Sequence, residues 1–329
     1  MNKKKIKYLV TGGSGFLGYS LVKKLINNGL KVVLFDNNFR GSFIKFNKSQ
    51  QKKITFIKGD IRNKNLIKKA IKNCNGVFHL AFINGTENFY KMPKEVMDVG
   101  VLGTINILEK SIETKKINFF HYASSSEVYH RPKKYPATEK EYLLVPDPLN
   151  PRFSYSGSKI IGELLTFNYL RNSKIKHNIF RPHNIFGPNM GFEHVIPQII
   201  KKIFISSNNF KKKKCSIKIQ GNGKETRSFC YVDDAVDQIF QIALKGKNKE
   251  IYNIGQTHEI SIKKLIKDIS KILGINVLIH TGKLTEGSVK RRCPDMKKTF
   301  KLKKTNNNNY LNGLKNTTLW YKDFFLNEK

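Results

Sequence analysis

Short apolar runs alternate along the chain with longer stretches of helical spacing. Residues 6–10 form an apolar run, and a glycine-rich turn follows. Leu21, Val22, Leu25 and Ile26 then recur at helical spacing within residues 20–28, and Gly29 closes that helix. The next strand is read over 31–36, which completes a strand–helix–strand unit. The alternation continues with strands over 54–57, 76–81, 119–123 and 177–180. Helices fall between them over 66–72, 95–114 and 157–171. Strand and helix in alternation predict an α/β fold, a parallel sheet with helices on both faces.

Beyond residue 181 the pattern loosens. Shorter elements are read over 195–204, 216–220, 234–244, 262–273 and 277–280, and 251–254 has the composition of a buried strand. The expected division is therefore a unit of residues 1–180 and a smaller region of residues 181–329. Segments near 228–256 are expected to return to the main sheet. The asparagine run at 306–309 reads as a loop, and no internal repeat is present.

Composition changes this picture little. Over 329 residues, 39% hydrophobic and 26% charged residues fit a globular chain. No run approaches the roughly 18 apolar residues of a membrane span. The basic start at residues 1–7 leads into only three apolar residues before Thr11-Gly12-Gly13, too few for a signal peptide, so a first strand is expected there. Cys74, Cys215, Cys230 and Cys293 show neither CxxC nor metal-ligand spacing; a cytoplasmic protein with reduced thiols and no metal is expected. The net charge of +37 raises the question of nucleic acid. Its lysines are scattered, however, with one tight run at Lys211–Lys214, so solvated lysines are the expected reading and nucleic acid is not the expected partner. Only nine of the 61 basic residues are arginine, so each arginine marks a place where its planar fork has a use.

Two motifs carry chemistry. Thr11-Gly12-Gly13-Ser14-Gly15-Phe16-Leu17-Gly18 joins the first strand to the first helix. Glycines at 12, 15 and 18 allow a tight turn, close approach of backbone to a diphosphate, and close helix–strand packing. The helix N-terminus then faces the negative charge. Asp36, at the end of the second strand, is placed to bind both ribose hydroxyls and to repel a 2′-phosphate, which favours NAD over NADP. Asp60 and Ile61 follow the third strand, where an adenine edge would lie; Leu80 and Ala81 end the fourth.

Tyr155 and Lys159 are four apart on one helix face in Tyr155-Ser156-Gly157-Ser158-Lys159. A free tyrosine has a pKa of ~10. A neighbouring ammonium and the positive nicotinamide would lower it, so that Tyr155 accepts a hydroxyl proton as hydride leaves the same carbon. Ser124-Ser125-Ser126-Glu127-Val128-Tyr129 follows the fifth strand at the sheet edge where open α/β sheets bind ligands, and a hydroxyl there can hold the reacting oxygen.

With these motifs the chain resembles the extended short-chain dehydrogenase/reductases, in particular the NAD-dependent sugar-nucleotide epimerase/dehydratase group. The resemblance runs from about Lys7 to about Leu302. It rests on TGGSGFLG at 11–18, Asp36, GDI at 59–61, HLA at 79–81, GT at 103–104, SSSEVY at 124–129, YSGSK at 155–159, RPHNIFGP at 181–188, RSFCYVDD at 227–234, YNIG at 252–255 and RRCPD at 291–295. It implies a Rossmann-type doubly wound sheet, with NAD on residues 1–180 and a smaller C-terminal region, 181–329, that mainly binds substrate. Gly12, Gly15, Phe16, Leu17 and Gly18 would hold the diphosphate, Asp36 the ribose, Asp60 and Ile61 the adenine, with Leu80, Ala81, Tyr155 and Lys159 also lining the cofactor. Ser125, Tyr155 and Lys159 would carry the oxidation. Ser125 and Asn184 would bind the sugar nucleotide, and Arg227 and Arg292 would grip its phosphates and sugar. Two departures stand out: Gly100 replaces an asparagine usual before the Gly-Thr pair, and His130 replaces a usual glycine.

In this group NAD oxidises the sugar at C4, and the ketone can then be reduced from the other face, lose water across C5 and C6, or lose a C6 carboxylate. Ser125-Ser126-Glu127 is similar to the Thr-Ser-Glu of 4,6-dehydratases and of UDP-glucuronate decarboxylases. Dehydration with Glu127 as the C5 base is the first expectation; 4-epimerisation and decarboxylation follow, and a non-catalytic NAD-binding regulator or nucleic-acid-binding protein is a remote rival. The helices read over 95–114 and 157–171 resemble those that form a four-helix bundle in family homodimers. Apolar Ile160, Ile161, Leu164, Leu165 and Phe167 exceed what one core face needs.

Overall fold

The computed structural model describes residues 6–283, 289–302 and 309–327. Six strands, β1 (Lys7–Thr11), β2 (Lys31–Asp36), β3 (Ile54–Lys58), β4 (Gly76–His79), β5 (Phe119–Ala123) and β6 (Lys176–Pro182), join a seventh, Glu250–Ile254, in one sheet. Its order is seventh–β6–β5–β4–β1–β2–β3, and every pairing is parallel. Strand order reverses between β1 and β4, so the crevice beyond their carboxyl ends is the natural place for a ligand.

The strands are apolar on both sides because helices cover both faces. Helix α1 (Phe16–Asn27) and the Val232–Lys245 helix pack on one face through Leu21, Leu25, Val236 and Ile239. The Lys64–Ile71 and Leu102–Glu113 helices pack on the other with Ile67, Ile107 and Leu108. Capping follows the local sequence. Asn63 accepts from the N–H groups of Asn65 and Leu66, and Gly29 and Gly274 turn out of their helices at φ of 77° and 67°.

A third cluster sits beside the sheet. The Val195–Ser206, Ile262–Leu273 and Tyr310–Asn327 helices enclose Ile200, Leu265, Leu314 and Tyr321. The parallel pair Lys214–Lys218 and Asn276–His280 closes one side. A small sheet of Glu259–Ser261, Thr226–Ser228 and Arg291–Arg292 faces the cavity end. Of the asparagine run read as a loop, residues 306–308 lie outside the described residues.

One expected element divides. In place of a single helix over 95–114 there are two, Pro93–Gly100 and Leu102–Glu113, with an interruption at Val101. Gly100 lies where the chain meets Phe82 and Ser158; an added Cβ would come within 2.5 Å of the Phe82 ring and 2.8 Å of Ser158 Cβ. The unusual Gly100 thus lets the Ser154–Tyr169 helix pack close. No helix among the described residues is long and apolar enough to cross a membrane, and no group of metal-binding side chains is found among them.

Candidate active site

A cavity of about 350 Å³ opens at the carboxyl edge of β1 and β4, and its lining runs from the glycine turn to Arg292. At one end lies the glycine turn. Gly12 has φ of 70°, and a Cβ there would come within 2.7 Å of the Ala81 backbone. A Cβ on Gly18 would come within 2.1 Å of Gly12 O, so larger residues would fill the cradle. The first turn of α1 carries no acidic residue and its N-cap, Gly15, makes no side-chain cap, which leaves the amide dipoles open to an anion. Asp36 is buried in the same cavity and accepts from Ser14 N at 2.9 Å and Asn38 N at 2.7 Å. Burial pushes its carboxyl up, and these two N–H donors work against that. Glycine cradle, open helix end and a buried carboxylate at the end of β2 together fit NAD.

Phe16, Leu17, Ile61, Leu80 and Ala81 all line the cavity. The Leu80 and Ala81 amides both donate to Thr11 Oγ1 at 3.2 Å, fixing the edge of β4 over β1. Asp60 lines it too, with a carboxylate already engaged by Arg62, Nε to Oδ1 at 2.9 Å and Nη2 to Oδ2 at 2.8 Å. That hydrogen-bonded pairing holds Asp60 below the usual carboxylate range.

The chemistry-bearing residues meet at the middle. Ser125 follows β5, accepts from Glu127 N at 3.2 Å, and hydrogen-bonds the Tyr155 side chain. Tyr155 is 8% exposed, stacked on Phe89 at 4.9 Å and edge-on to Phe82 at 5.0 Å. Lys159 is 3% exposed and donates to Ala123 O at 2.6 Å. One expectation is corrected here. Tyr155 is pushed up to about 12, not down, because burial outweighs the Ser125 hydrogen bond and the charge of Arg40. Lys159 points at Ala123 O and over the Phe82 ring, 3.9 Å from its centroid, and is itself brought down to about 7 by burial, with Glu163 opposing. The protein groups alone therefore leave Tyr155 protonated; the positive nicotinamide is the remaining cation that can favour its phenolate.

Beneath them lies a buried network. Glu163 accepts from Ser124 Oγ at 2.5 Å and from Arg181 Nε at 2.8 Å and Nη2 at 2.5 Å. Arg181 Nη1 donates to Tyr129 Oη at 2.8 Å, and that hydroxyl donates to Asn253 Oδ1 at 2.8 Å. Arg181, the first residue of the RPHNIFGP motif, thus ties the ends of three strands, β5, β6 and the seventh, to the Ser154–Tyr169 helix.

At the far end Glu127 Oε1 accepts from Arg292 Nη1 at 2.5 Å. Burial would raise the Glu127 carboxyl, but the charge and hydrogen bond of Arg292 outweigh it and hold the group below its usual range. Among the described residues no other acceptor meets the Arg292 fork. Asn184 lines the cavity with φ of 43° and donates to Ser228 O at 3.3 Å. Arg227 stands behind Arg292. It is absent from the cavity lining, and its donors go to the carbonyls of Thr226, Val289 and Lys290. Burial, then repulsion from Arg292, brings it down to about 10. It braces the strand that carries Arg292. His130, where glycine is usual, sits at φ of 46°, which explains the usual glycine, and its ring meets Phe153 edge-on at 5.5 Å.

Sequence reasoning missed Phe82, Arg40, Met190 and His194, all lining the cavity. Phe82 and His194 gave no distinguishing signal. Arg40 did, as one of nine arginines and four residues past Asp36.

Comparison with known proteins agrees with this geometry. Residues 8–255 match the NAD dependent epimerase/dehydratase family. A putative UDP-glucose 4-epimerase of Methanocaldococcus jannaschii is 34% identical over 321 residues, 96% of this chain and 98% of that protein. The UDP-N-acetyl-alpha-D-glucosaminuronate decarboxylase of Bacillus cytotoxicus is 30% identical over 333 residues, covering 97% and 98%. In fold, the UDP-glucose 4-epimerase of Thermotoga maritima, solved with UDP-glucose, superposes with a TM-score of 0.84 over 97% of this chain and 100% of that one, at 24% identity.

Proposed function

The chain belongs to the NAD dependent epimerase/dehydratase family, and from that premise we propose that it oxidises the C4 hydroxyl of a UDP-uronic acid and releases the C6 carboxylate as carbon dioxide. The observation that carries this reading is the Arg292–Glu127 pair, which lines the cavity next to Ser125. Arg292 gives one N–H to Glu127 and keeps the rest of its fork for a ligand. A planar fork fits a carboxylate bidentately. The 30% identical relative is itself a decarboxylase of a UDP-uronate sugar.

In this reading NAD, when bound, accepts hydride from C4 and later returns it. Gly12, Gly15, Phe16, Leu17 and Gly18 hold its diphosphate, Asp36 its adenosine ribose, Asp60 and Ile61 the adenine, and Leu80 and Ala81 the passage between. Ser125 holds the reacting oxygen. Tyr155 takes the hydroxyl proton as the C4 ketone forms and gives it back when the ketone is reduced. Lys159 lies one helical turn from Tyr155 and holds the end of β5 through Ala123 O. With the ketone at C4, the C6 carboxylate belongs to a β-keto acid; the C5–C6 bond breaks, its electron pair enters the C4–C5 enol, and a solvent proton closes C5. Arg292 orients the carboxylate, and Asn184 binds the nucleotide sugar alongside.

Dehydration, the first expectation, has one supporting observation, since Glu127 faces the cavity two residues past Ser125. Against it stand the lowered pKa of Glu127, which weakens it as a C5 base, and Ser126, which offers no acid for a leaving C6 hydroxyl. Incubation with UDP-glucuronate and with UDP-glucose, read by product mass, tests the choice. Loss of carbon dioxide from the first supports the proposal; loss of water from the second, or a new stereoisomer of unchanged mass, replaces it.

The same reading assigns residues 1–180 to NAD and 181–329 mainly to substrate, with the Glu250–Ile254 strand in the main sheet. It also pairs two copies through the 93–113 and Ser154–Tyr169 helices, where Leu102, Ile112 and Leu164 are 45%, 40% and 58% exposed. Light scattering on the purified protein checks the dimer; a monomer at micromolar concentration would remove it.

A further inference from the structure

We propose that Arg40 is a strap that crosses the mouth of the cofactor cavity and retains the dinucleotide through many turnovers. Arg40 lines the cavity, and its neighbour Gly41 lies directly on the glycine turn, where an added Cβ would come within 1.8 Å of Ser14 O. The side chain therefore starts above the turn that cradles the diphosphate. It reaches across to two other segments of the rim, Nη1 donating to Asn84 O at 3.2 Å and Nη2 to Met190 O at 3.3 Å. Room is made for it on the far side. Gly191 has φ of 88°, and a Cβ there would sit 2.1 Å from Arg40 Nη2. Glu193, two residues further on, attracts the guanidinium.

One side chain so joins the turn after β2, the segment after β4 and the segment before the Val195–Ser206 helix. A cation laid over a diphosphate adds charge-assisted hydrogen bonds to the bound state. A dinucleotide below it leaves only after those bonds and the two carbonyl contacts break. This suits a reaction that returns its hydride in every cycle and has no need to exchange cofactor. Only this match to the reaction cycle rests on the proposed function; the contacts of Arg40 do not depend on which sugar is bound.

The test measures NAD dissociation from purified holoenzyme, by displacement with excess labelled NAD, for the native chain, Arg40→Ala, Arg40→Lys and Gly191→Val. Arg40→Ala is expected to speed dissociation about tenfold or more, the effect of losing a charged hydrogen bond. Arg40→Lys, which keeps the charge without the fork, should fall between. Gly191→Val keeps Arg40 and displaces its end, and should also speed release. Circular dichroism and melting temperature report whether each variant is folded. Dissociation of folded Arg40→Ala within twofold of the native rate overturns the strap. So does a slower association with unchanged dissociation, which marks a steering charge only. Product mass from the same preparations reads the sugar chemistry separately, so either idea can fail without the other.

Discussion

The buried network around Ser124 and the Arg292–Glu127 pair border the same cavity and are held in contrasting ways. Around Ser124 the charged side chains are buried and hydrogen-bonded, with Glu163, Arg181 and Lys159 3%, 1% and 3% exposed. Around Arg292 the pair with Glu127 joins side chains 19% and 32% exposed, from segments 165 residues apart, and part of the fork is unspent. The first arrangement suits a step every family reaction shares, the oxidation, which needs fixed geometry. The second suits the step on which the reactions differ, since a partly exposed pair can regroup around a ligand more readily than a buried one.

Breaking each arrangement should show the contrast most strongly in stability. Arg181→Met alone leaves Glu163 as a buried, unpaired charge and is expected to cost about 3–5 kcal/mol. Removing both charges with Glu163→Gln added should recover much of it. Arg292→Met at the rim should cost about 1 kcal/mol or less. Urea unfolding of the variants checks this; equal losses in both regions would erase the distinction.

In turnover the order turns to chemistry. Tyr155→Phe should lower turnover by about 10² or more while leaving the fold intact. Near-normal turnover would remove Tyr155 as the proton acceptor. Arg292→Met should act on substrate instead, raising KM for a uronate sugar nucleotide about tenfold, the worth of one charged hydrogen bond. An unchanged KM would show that the fork does not meet the carboxylate.

The smallest effect concerns pH. Lys159 titrates near 7 in the folded chain and at its ordinary value of 10.5 when unfolded. Between those values the unfolded chain binds the extra proton, so this residue makes stability rise with pH across that window. In cofactor-free protein, Lys159→Met should melt with a shallower pH dependence from 7 to 10.5 than the native chain. Parallel curves would mean that Lys159 stays charged in the fold.

The two regions also differ in how legible they were. The residues that meet on the cavity floor are written locally: Gly12 to Gly18 lie in one turn, and Tyr155 and Lys159 one helical turn apart, so spacing and strand order sufficed to bring them to one cavity. The doubly wound sheet was legible for the same reason, since apolar strands and amphipathic helices alternate. The interruption at Val101 was not, because both sides keep the same helical periodicity and Gly100 is required by contact with Phe82 and Ser158. The raised pKa of Tyr155 was hidden too, because burial is a tertiary quantity and the direction of the Lys159 side chain is set by Ala123 O. The contacts of Arg227 with its neighbouring strand depend on carbonyls more than sixty residues away along the chain. The Glu127–Arg292 pair, joined across the fold, could be read from either motif only as two separate residues.

The measurement that bears most directly on the whole account is the product formed from UDP-glucuronate by purified protein with no NAD added beyond what it carries. The account predicts a UDP-pentose, smaller by carbon dioxide, formed through many turnovers with no net reduction of NAD. A UDP-uronate recovered unchanged in mass, alongside conversion of UDP-glucose, would contradict it.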